Sequence, residues 1–351
     1  MGESVPRTVV VSAVNIRKGG TLTVLRDCLK YLSGLAAAGE WKVIALVHKQ
    51  SLSDYPGIEY IEIPWSARSW GRRLWCEYVT MNRISKKLAK RDGKPVDMWL
   101  SLHDTTPRVL AAHQEVYCQT SFPFLKIQAR DWLMDPKVPL FALFTRWAYR
   151  INVKRNDCLI VQQEWFRDAL AGLLHLPLSK FRVIPPQLPD MTEVRASDIH
   201  YAVPMFFYAS SPDCHKNFET LCWASEMLER EVGKGRFKTV LSISGTENRY
   251  ARWLYRKWGG VDSIEFAGYM SREDLFGLYK AADAIVFPSR VETWGLPISE
   301  YLAATEGKGD LLLADLPYAH GVAKDAPGAK YFPATDAGTL KKLMYESIAT
   351  G

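Results

Sequence analysis

Short apolar runs recur along the chain, each closed by a polar, glycine-marked or proline-marked break. Residues 8–14 make the first run. Residues 41–47, 58–63, 97–102, 116–118 and 157–162 repeat it in the first half, and 205–208, 239–244, 264–266, 284–287 and 310–315 in the second. Runs of this length bounded by turn residues predict strands buried on both faces, as in a parallel sheet. Between them the period changes. Leu22, Leu25, Cys28, Leu29 and Leu32 share one face of a helix over 21–35, and 164–174, 219–230, 272–282 and 338–348 also predict helices. Ser271 is placed to cap the 272–282 helix, with Glu273 and Asp274 in its first turn. Strand–helix alternation through both halves predicts an α/β chain with two doubly wound, Rossmann-like domains. Pro185, Pro186 and Pro189 mark a linker. The domains are therefore expected at 1–190 and 191–351, with the last helix able to cross back to the first.

Composition sharpens this picture. A chain of 351 residues exceeds one ordinary core, and 48% apolar residues suit a soluble globular protein. No apolar stretch of about 20 residues predicts a spanning helix. The start of the chain lacks the pattern of a secretory signal. Six cysteines without a C-x-x-C pair are expected as buried thiols in a reducing cytosol, holding no metal. The net charge of +7 is uneven: residues 1–190 carry 27 Lys and Arg against 17 Asp and Glu. No nucleic-acid motif accompanies this charge, so an anionic membrane face or phosphate-linked lipid is the expected partner rather than nucleic acid. Residues 65–94 hold nine basic residues against Glu77 and Asp92, interleaved with Trp65, Trp70, Leu74, Trp75, Tyr78 and Met81. That pattern fits an interfacial helix lying on a membrane, and equally a helix packing its aromatic stripe into the first domain. Residues 125–155 mix aromatic and basic residues in the same way.

The most informative stretch is Ser289–Glu300 (SRVETWGLPISE), which follows the apolar run 284–287 and Pro288. Pro297 falls just inside a new helix, where its missing N–H costs little. Glu292 then lies in the loop and Glu300 about one turn into the helix. Gly295 and Leu296 present backbone N–H groups at the helix start, which suits a phosphate. Two carboxylates able to accept hydrogen bonds from hydroxyls thus flank a phosphate-binding helix end. Three other strand ends carry polar residues where ligands bind in parallel sheets: Lys18-Gly19-Gly20, His103–Pro107, and the 210–218 loop with Lys216.

The phrase Glu-x-x-Gly-Leu-Pro-x-x-Glu after Val-Phe-Pro-Ser, an E-x7-E pattern, resembles the retaining GT-B glycosyltransferases of the glycogen-synthase-like and mannosyltransferase-like group, of the type found in bacterial surface-polysaccharide synthesis. The resemblance implies two Rossmann-like domains facing across a cleft, the donor held by the second and the acceptor by the first. It implies that Glu300 holds ribose hydroxyls and Glu292 sugar hydroxyls. Lys216, Gly20, Gly295 and Leu296 would hold the diphosphate, with Tyr269 and Met270 at the base edge. Two positions depart from the group. Gln119 stands where many relatives carry a histidine that touches the donor sugar, and His103 could take part of that role or be a buried structural histidine. Ser210 or Ser211 stands where an arginine often joins the lysine on the diphosphate. The implied reaction is retaining transfer from a UDP- or GDP-sugar to a glycan acceptor, expected to be lipid-linked, by a cytoplasmic protein peripheral to the inner membrane face. The sequence lacks the D-x-D of metal-dependent glycosyltransferases, so neither metal nor cofactor is expected. A nucleotide-sugar epimerase or hydrolase of the same architecture, and a non-catalytic nucleotide-sugar-binding partner, stay open as alternatives.

Overall fold

The computed structural model of the chain describes residues 6–188 and 201–350. These fall into two compact units. One is drawn from the first 120 residues and 145–186, the other from 121–144 and the residues after 186. The expected boundary at 190 lies outside the described residues. The 121–144 segment, expected within the first domain, clusters with the second unit. The last helix, Ala337–Thr350, packs on the helix Phe218–Val232 of its own unit.

The first unit holds a seven-stranded parallel sheet. Its strands are β1 (Arg7–Ala13), β2 (Trp41–Val47), β3 (Ile58–Glu62), β4 (Val96–Ser101), β5 (Ala111–Tyr117), β6 (Cys158–Val161) and β7 (Phe181–Val183), in the order β3-β2-β1-β4-β5-β6-β7. The apolar runs are continuous because both faces are covered. Val9 and Val11 pack with Leu25, Leu29 and Leu32 of the helix Gly19–Ala37, while Val10 and Ile44 face Met81, Leu88 and Trp99. Full burial of each such aliphatic side chain contributes roughly 2 kcal/mol.

The second unit repeats the plan with six parallel strands. They are β8 (Met205–Tyr208), β9 (Lys238–Leu241), β10 (Ile264–Phe266), β11 (Ala284–Phe287), β12 (Asp310–Ala314) and β13 (Ala329–Phe332), ordered β10-β9-β8-β11-β12-β13. In each unit the chain order reverses beside the first strand, between β1 and β4 and between β8 and β11. Loops leaving the carboxyl ends of strands at such a reversal diverge and leave a crevice for ligands. The loops so placed carry His103 in the first unit, and Lys216 and Glu292 in the second.

The basic, aromatic stretch 65–94 is not one helix. It runs as a 3-10 turn (Pro64–Arg68), a short helix (Trp70–Trp75), a π turn (Cys76–Thr80) and a longer helix (Met81–Asp92). Trp65, Cys76, Met81 and Leu88 pack into the core, whereas Trp70 and Trp75 are 46% and 56% exposed. The packing reading therefore holds for part of the segment, and two of its tryptophans stay on the surface. Among the described residues no helix is long and apolar enough to cross a membrane, and all six cysteines are free thiols.

Candidate functional site

The second unit's site is built where β8 and β11 end side by side. Tyr208, the last residue of β8, is fully buried, and its hydroxyl donates to the Lys216 carbonyl at 2.8 Å and meets Ser289 Oγ at 3.1 Å. Asn217, in a left-handed conformation with φ 59°, sends its amide back to the Pro288 carbonyl at 2.9 Å. Tyr318 donates to the Ser289 carbonyl at 2.7 Å. The two loops are thereby fastened together, at Lys216 and Asn217 on one side and at Pro288 and Ser289 on the other.

Lys216 Nζ meets Glu292 Oε1 at 2.5 Å, and the two side chains are 16% and 15% exposed. The charge of Glu292 in this partly buried pair is felt by Tyr208 and Tyr318. Burial pushes both phenols above the ordinary tyrosine range, and the Glu292 charge adds to that. The cation suits an anionic ligand and the carboxylate suits hydroxyls, so a ligand bearing both would engage each partner at once.

The helix Leu296–Ala304 begins as the sequence predicts. Gly295 caps it at φ 94°, a left-handed backbone that L side chains rarely adopt, and Pro297 lies in its first turn. The N–H of Leu296 belongs to the set that lacks a partner within the helix. Trp294 folds back to donate to Ser299 Oγ at 2.8 Å. Glu300, half-buried on the next turn, has its carboxyl raised above the usual range by burial, against the pull of Arg272 and the Tyr279 hydroxyl. Gly268 turns at φ 83°, after which Tyr269 is 95% exposed and Met270 half-buried. Ser271 caps the next helix, Arg272–Ala281, by accepting from Asp274 N at 3.1 Å. The second unit thus joins Lys216 directly to Glu292, with Gly295 and Leu296 on the same connection from β11.

The remaining expected residues belong to the first unit. Gly20 is the second residue of the helix Gly19–Ala37 rather than part of the preceding loop, and Gly19 takes the turn at φ 70°. His103 is enclosed. Its Nε2 lies 3.1 Å from Ser12 Oγ, and its Nδ1 lies 3.0 Å from Thr105 Oγ1 and 3.3 Å from Glu77. Burial lowers its pKa, so the ring is held neutral. Of the two readings of His103, its 2% exposure favours the buried structural histidine over a share in the role of the absent one. Gln119 is half-buried. Its backbone N donates to Asp104 Oδ1 at 2.5 Å and its Nε2 to the Leu102 carbonyl at 2.7 Å, which leaves the amide oxygen and the second amide hydrogen to offer. Asp104 sits at φ 70° and also accepts from Thr120 and from Tyr149.

Sequence reading missed Arg290 and Asp131. Arg290 is a charged residue in a buried strand-end loop, a signal that could have been noticed. Its partner lies 159 residues earlier and carries no local signal. Arg130, next to Asp131, pairs in the same way with the buried Glu219. Among the described residues no three His, Cys, Asp or Glu side chains group to hold a metal ion.

Residues 195–305, less than half of the chain, match the family model described as Glycosyl transferases group 1. That stretch contains Lys216, Glu292, Gly295, Leu296 and Glu300. A 97-residue stretch is 33% identical to the O-antigen chain mannosyltransferase B of Escherichia coli, and it makes up 27% of this chain and about a quarter (25%) of that relative's length. Solved structures resemble the chain over nearly its whole length. A sucrose-phosphate synthase from Thermosynechococcus elongatus has a TM-score of 0.66 at 17% identity, covering 98% of this chain and 90% of that one. WaaG, a glycosyltransferase involved in lipopolysaccharide biosynthesis, has a TM-score of 0.63 at 15% identity, covering 97% and 90%. At such identities the likeness shows the fold: two parallel-sheet Rossmann-like domains of the GT-B glycosyltransferase type.

Proposed function

We propose that the chain is a retaining glycosyltransferase that moves a sugar from a nucleoside-diphosphate sugar to a glycan acceptor in cell-surface polysaccharide synthesis. One observation carries the reading: Lys216 and Glu292 meet at the reversal point of the second sheet, on the connection that leads into the helix start at Gly295 and Leu296. The similarity to an O-antigen mannosyltransferase and the match to the group 1 model support it.

The roles follow from the chemistry of each group. Glu300 accepts hydrogen bonds from ribose hydroxyls and Glu292 from sugar hydroxyls. The backbone at Tyr269 and Met270 borders the base. As the bond between the anomeric carbon and the phosphate oxygen breaks, the nucleoside diphosphate gains negative charge. Lys216 and the N–H of Leu296 stabilise that charge, and Gly20 is assigned to the diphosphate as well. The acceptor oxygen forms its bond on the face the phosphate leaves, and its proton passes to the leaving phosphate oxygen. No separate base and no metal are needed, so the neutral Gln119 is tolerated as a hydrogen-bonding residue. The acceptor is lipid-linked at an anionic membrane face, which the basic first half and the exposed Trp70 and Trp75 support.

The test is calorimetry of the full chain against UDP-, GDP-, ADP- and dTDP-sugars, with wild type and Glu300→Ala. One donor that binds the wild type and weakens sharply in the variant is the expected result. No binding by any of them would remove the donor site and the function with it. Binding without transfer to any lipid-linked glycan would favour a non-catalytic partner, the reading that Gln119 and the missing arginine keep open.

A further inference from the structure

We infer that the buried Arg290–Asp131 pair is a positioning device that sets the Lys216 loop against the Glu292 loop in the register a nucleoside diphosphate requires; this rests on the donor-site reading above. Arg290 lies two residues before Glu292. Its backbone N donates to the His215 carbonyl at 2.8 Å, and its guanidinium reaches the Cys214 carbonyl at 3.2 Å. One residue thus grips the 214–215 stretch, immediately before Lys216, from both its main chain and its side chain. The same guanidinium holds Asp131 with both terminal nitrogens, Nη1 to Oδ2 at 3.1 Å and Nη2 to Oδ1, and touches the Lys126 carbonyl at 3.4 Å.

Asp131 does not drift. It closes a capping box at the start of the helix Ala129–Met134, where it accepts from Gln128 N at 2.8 Å. Arg130, its neighbour, grips Glu219 in the first turn of the helix that follows the Lys216 loop. Consecutive residues of one short helix therefore hold the Lys216 loop on its far side and, through Arg290, across its near side.

Stability alone is a poor reason for this arrangement. The Arg290 and Asp131 side chains are 5% and 0% exposed, and Arg290 Nε is buried without a hydrogen-bond partner. A buried ion pair of this kind gains little over apolar side chains of similar volume, whereas its bidentate geometry fixes direction as an apolar contact does not. Lysine is no equivalent, since its ammonium lacks the planar fork that holds both oxygens of Asp131.

The test uses the full chain with UDP, GDP and ADP as probes, binding measured by calorimetry and folding by thermal unfolding. The decisive variant is Arg290→Met/Asp131→Leu, which removes both charges and leaves neither unpaired. Its melting midpoint is expected within a few degrees of wild type, with nucleoside-diphosphate affinity about tenfold or more weaker. Adding Lys216→Ala to it should cost far less affinity than the same change costs in wild type, because the lysine is already misplaced. Arg290→Lys, which keeps the charge, is expected to bind as weakly as the double variant. If the wild type binds and the double variant or Arg290→Lys binds within about twofold of it, the positioning role is wrong and the donor site stands. If the wild type binds none of the probes, the donor site itself falls and takes the positioning role with it.

Discussion

Glu300 keeps its proton to a higher pH than an ordinary glutamate because burial outweighs the attraction of Arg272. Only the ionised carboxylate is a pure acceptor for two ribose hydroxyls. Nucleotide affinity should therefore rise as pH increases through this raised pKa, and calorimetry between pH 5 and 8 should show tighter binding at the upper end. Glu300→Gln should bind weakly with a flatter profile, and an unchanged wild-type-like profile in that variant would assign the titration elsewhere. At Glu292 the expectation concerns turnover. Glu292→Gln removes a charged hydrogen-bond acceptor worth about 1.5–3 kcal/mol, so kcat/KM should fall about 10- to 150-fold while the melting temperature hardly changes. These residues were legible because each lies in a local phrase: two carboxylates around Gly-Leu-Pro, one lysine at a strand end. Arg290–Asp131 and the Tyr208–Ser289 contact join residues far apart in sequence. No period or motif records such a pairing.

At the scale of elements, the strands were the clearest feature, since burial on both faces leaves an unbroken apolar run. The edge strand β13, Ala-Lys-Tyr-Phe, has no such run and went unread. The π turn at Cys76–Thr80 has no sequence signature either, yet it lies where Glu77 turns inward to Arg73 and Thr105. The start of the helix Leu296–Ala304 was read correctly, and its tolerance can be measured. A Cβ at Gly295 would stand 3.1 Å from Ile298 Cδ1 on a backbone with φ 94°. Gly295→Ala should cost about 1–2 kcal/mol in chemical denaturation and weaken nucleotide binding, because the N–H of Leu296 moves with the turn. The helix Phe218–Val232 contributes a pH effect on stability. Burial raises the Glu219 carboxyl to about 7 despite the adjacent Arg130. The folded state then holds a proton that the unfolded chain releases near the ordinary value of 4.5. This contribution is fully present below that value and is lost as pH rises to about 7. Glu219→Gln should flatten that part of the stability profile, as read by denaturant midpoints at successive pH values.

For the whole molecule, two doubly wound units followed from the alternation of strands and helices, and the strand orders bear that out. The membership of 121–144 did not follow, because its aromatic and basic composition suits a surface and a core alike. Its side chains divide accordingly: Leu125, Val138 and Ala142 are buried with Val291, while Trp132, Leu133 and Leu140 are 44%, 57% and 55% exposed. The exposed aromatic and basic residues predict that the full chain sediments with anionic vesicles at low salt and is released as ionic strength rises. Trp70→Ser/Trp75→Ser should weaken that binding, and sedimentation equal to that with neutral vesicles would refute it. The excursion at 121–144 also bears on autonomy. A fragment cut cleanly at 187 would look like an independent nucleotide-binding half, yet it would leave behind Arg130 and Asp131. Arg290 would then be stranded as a buried charge, Glu219 would lose its ion-pair partner, and Val291 would lose its apolar cover. Such a fragment should aggregate or unfold, and tethering 121–144 to it by a flexible linker should restore it: the working half of this protein is discontinuous, and its missing piece is written in the other half.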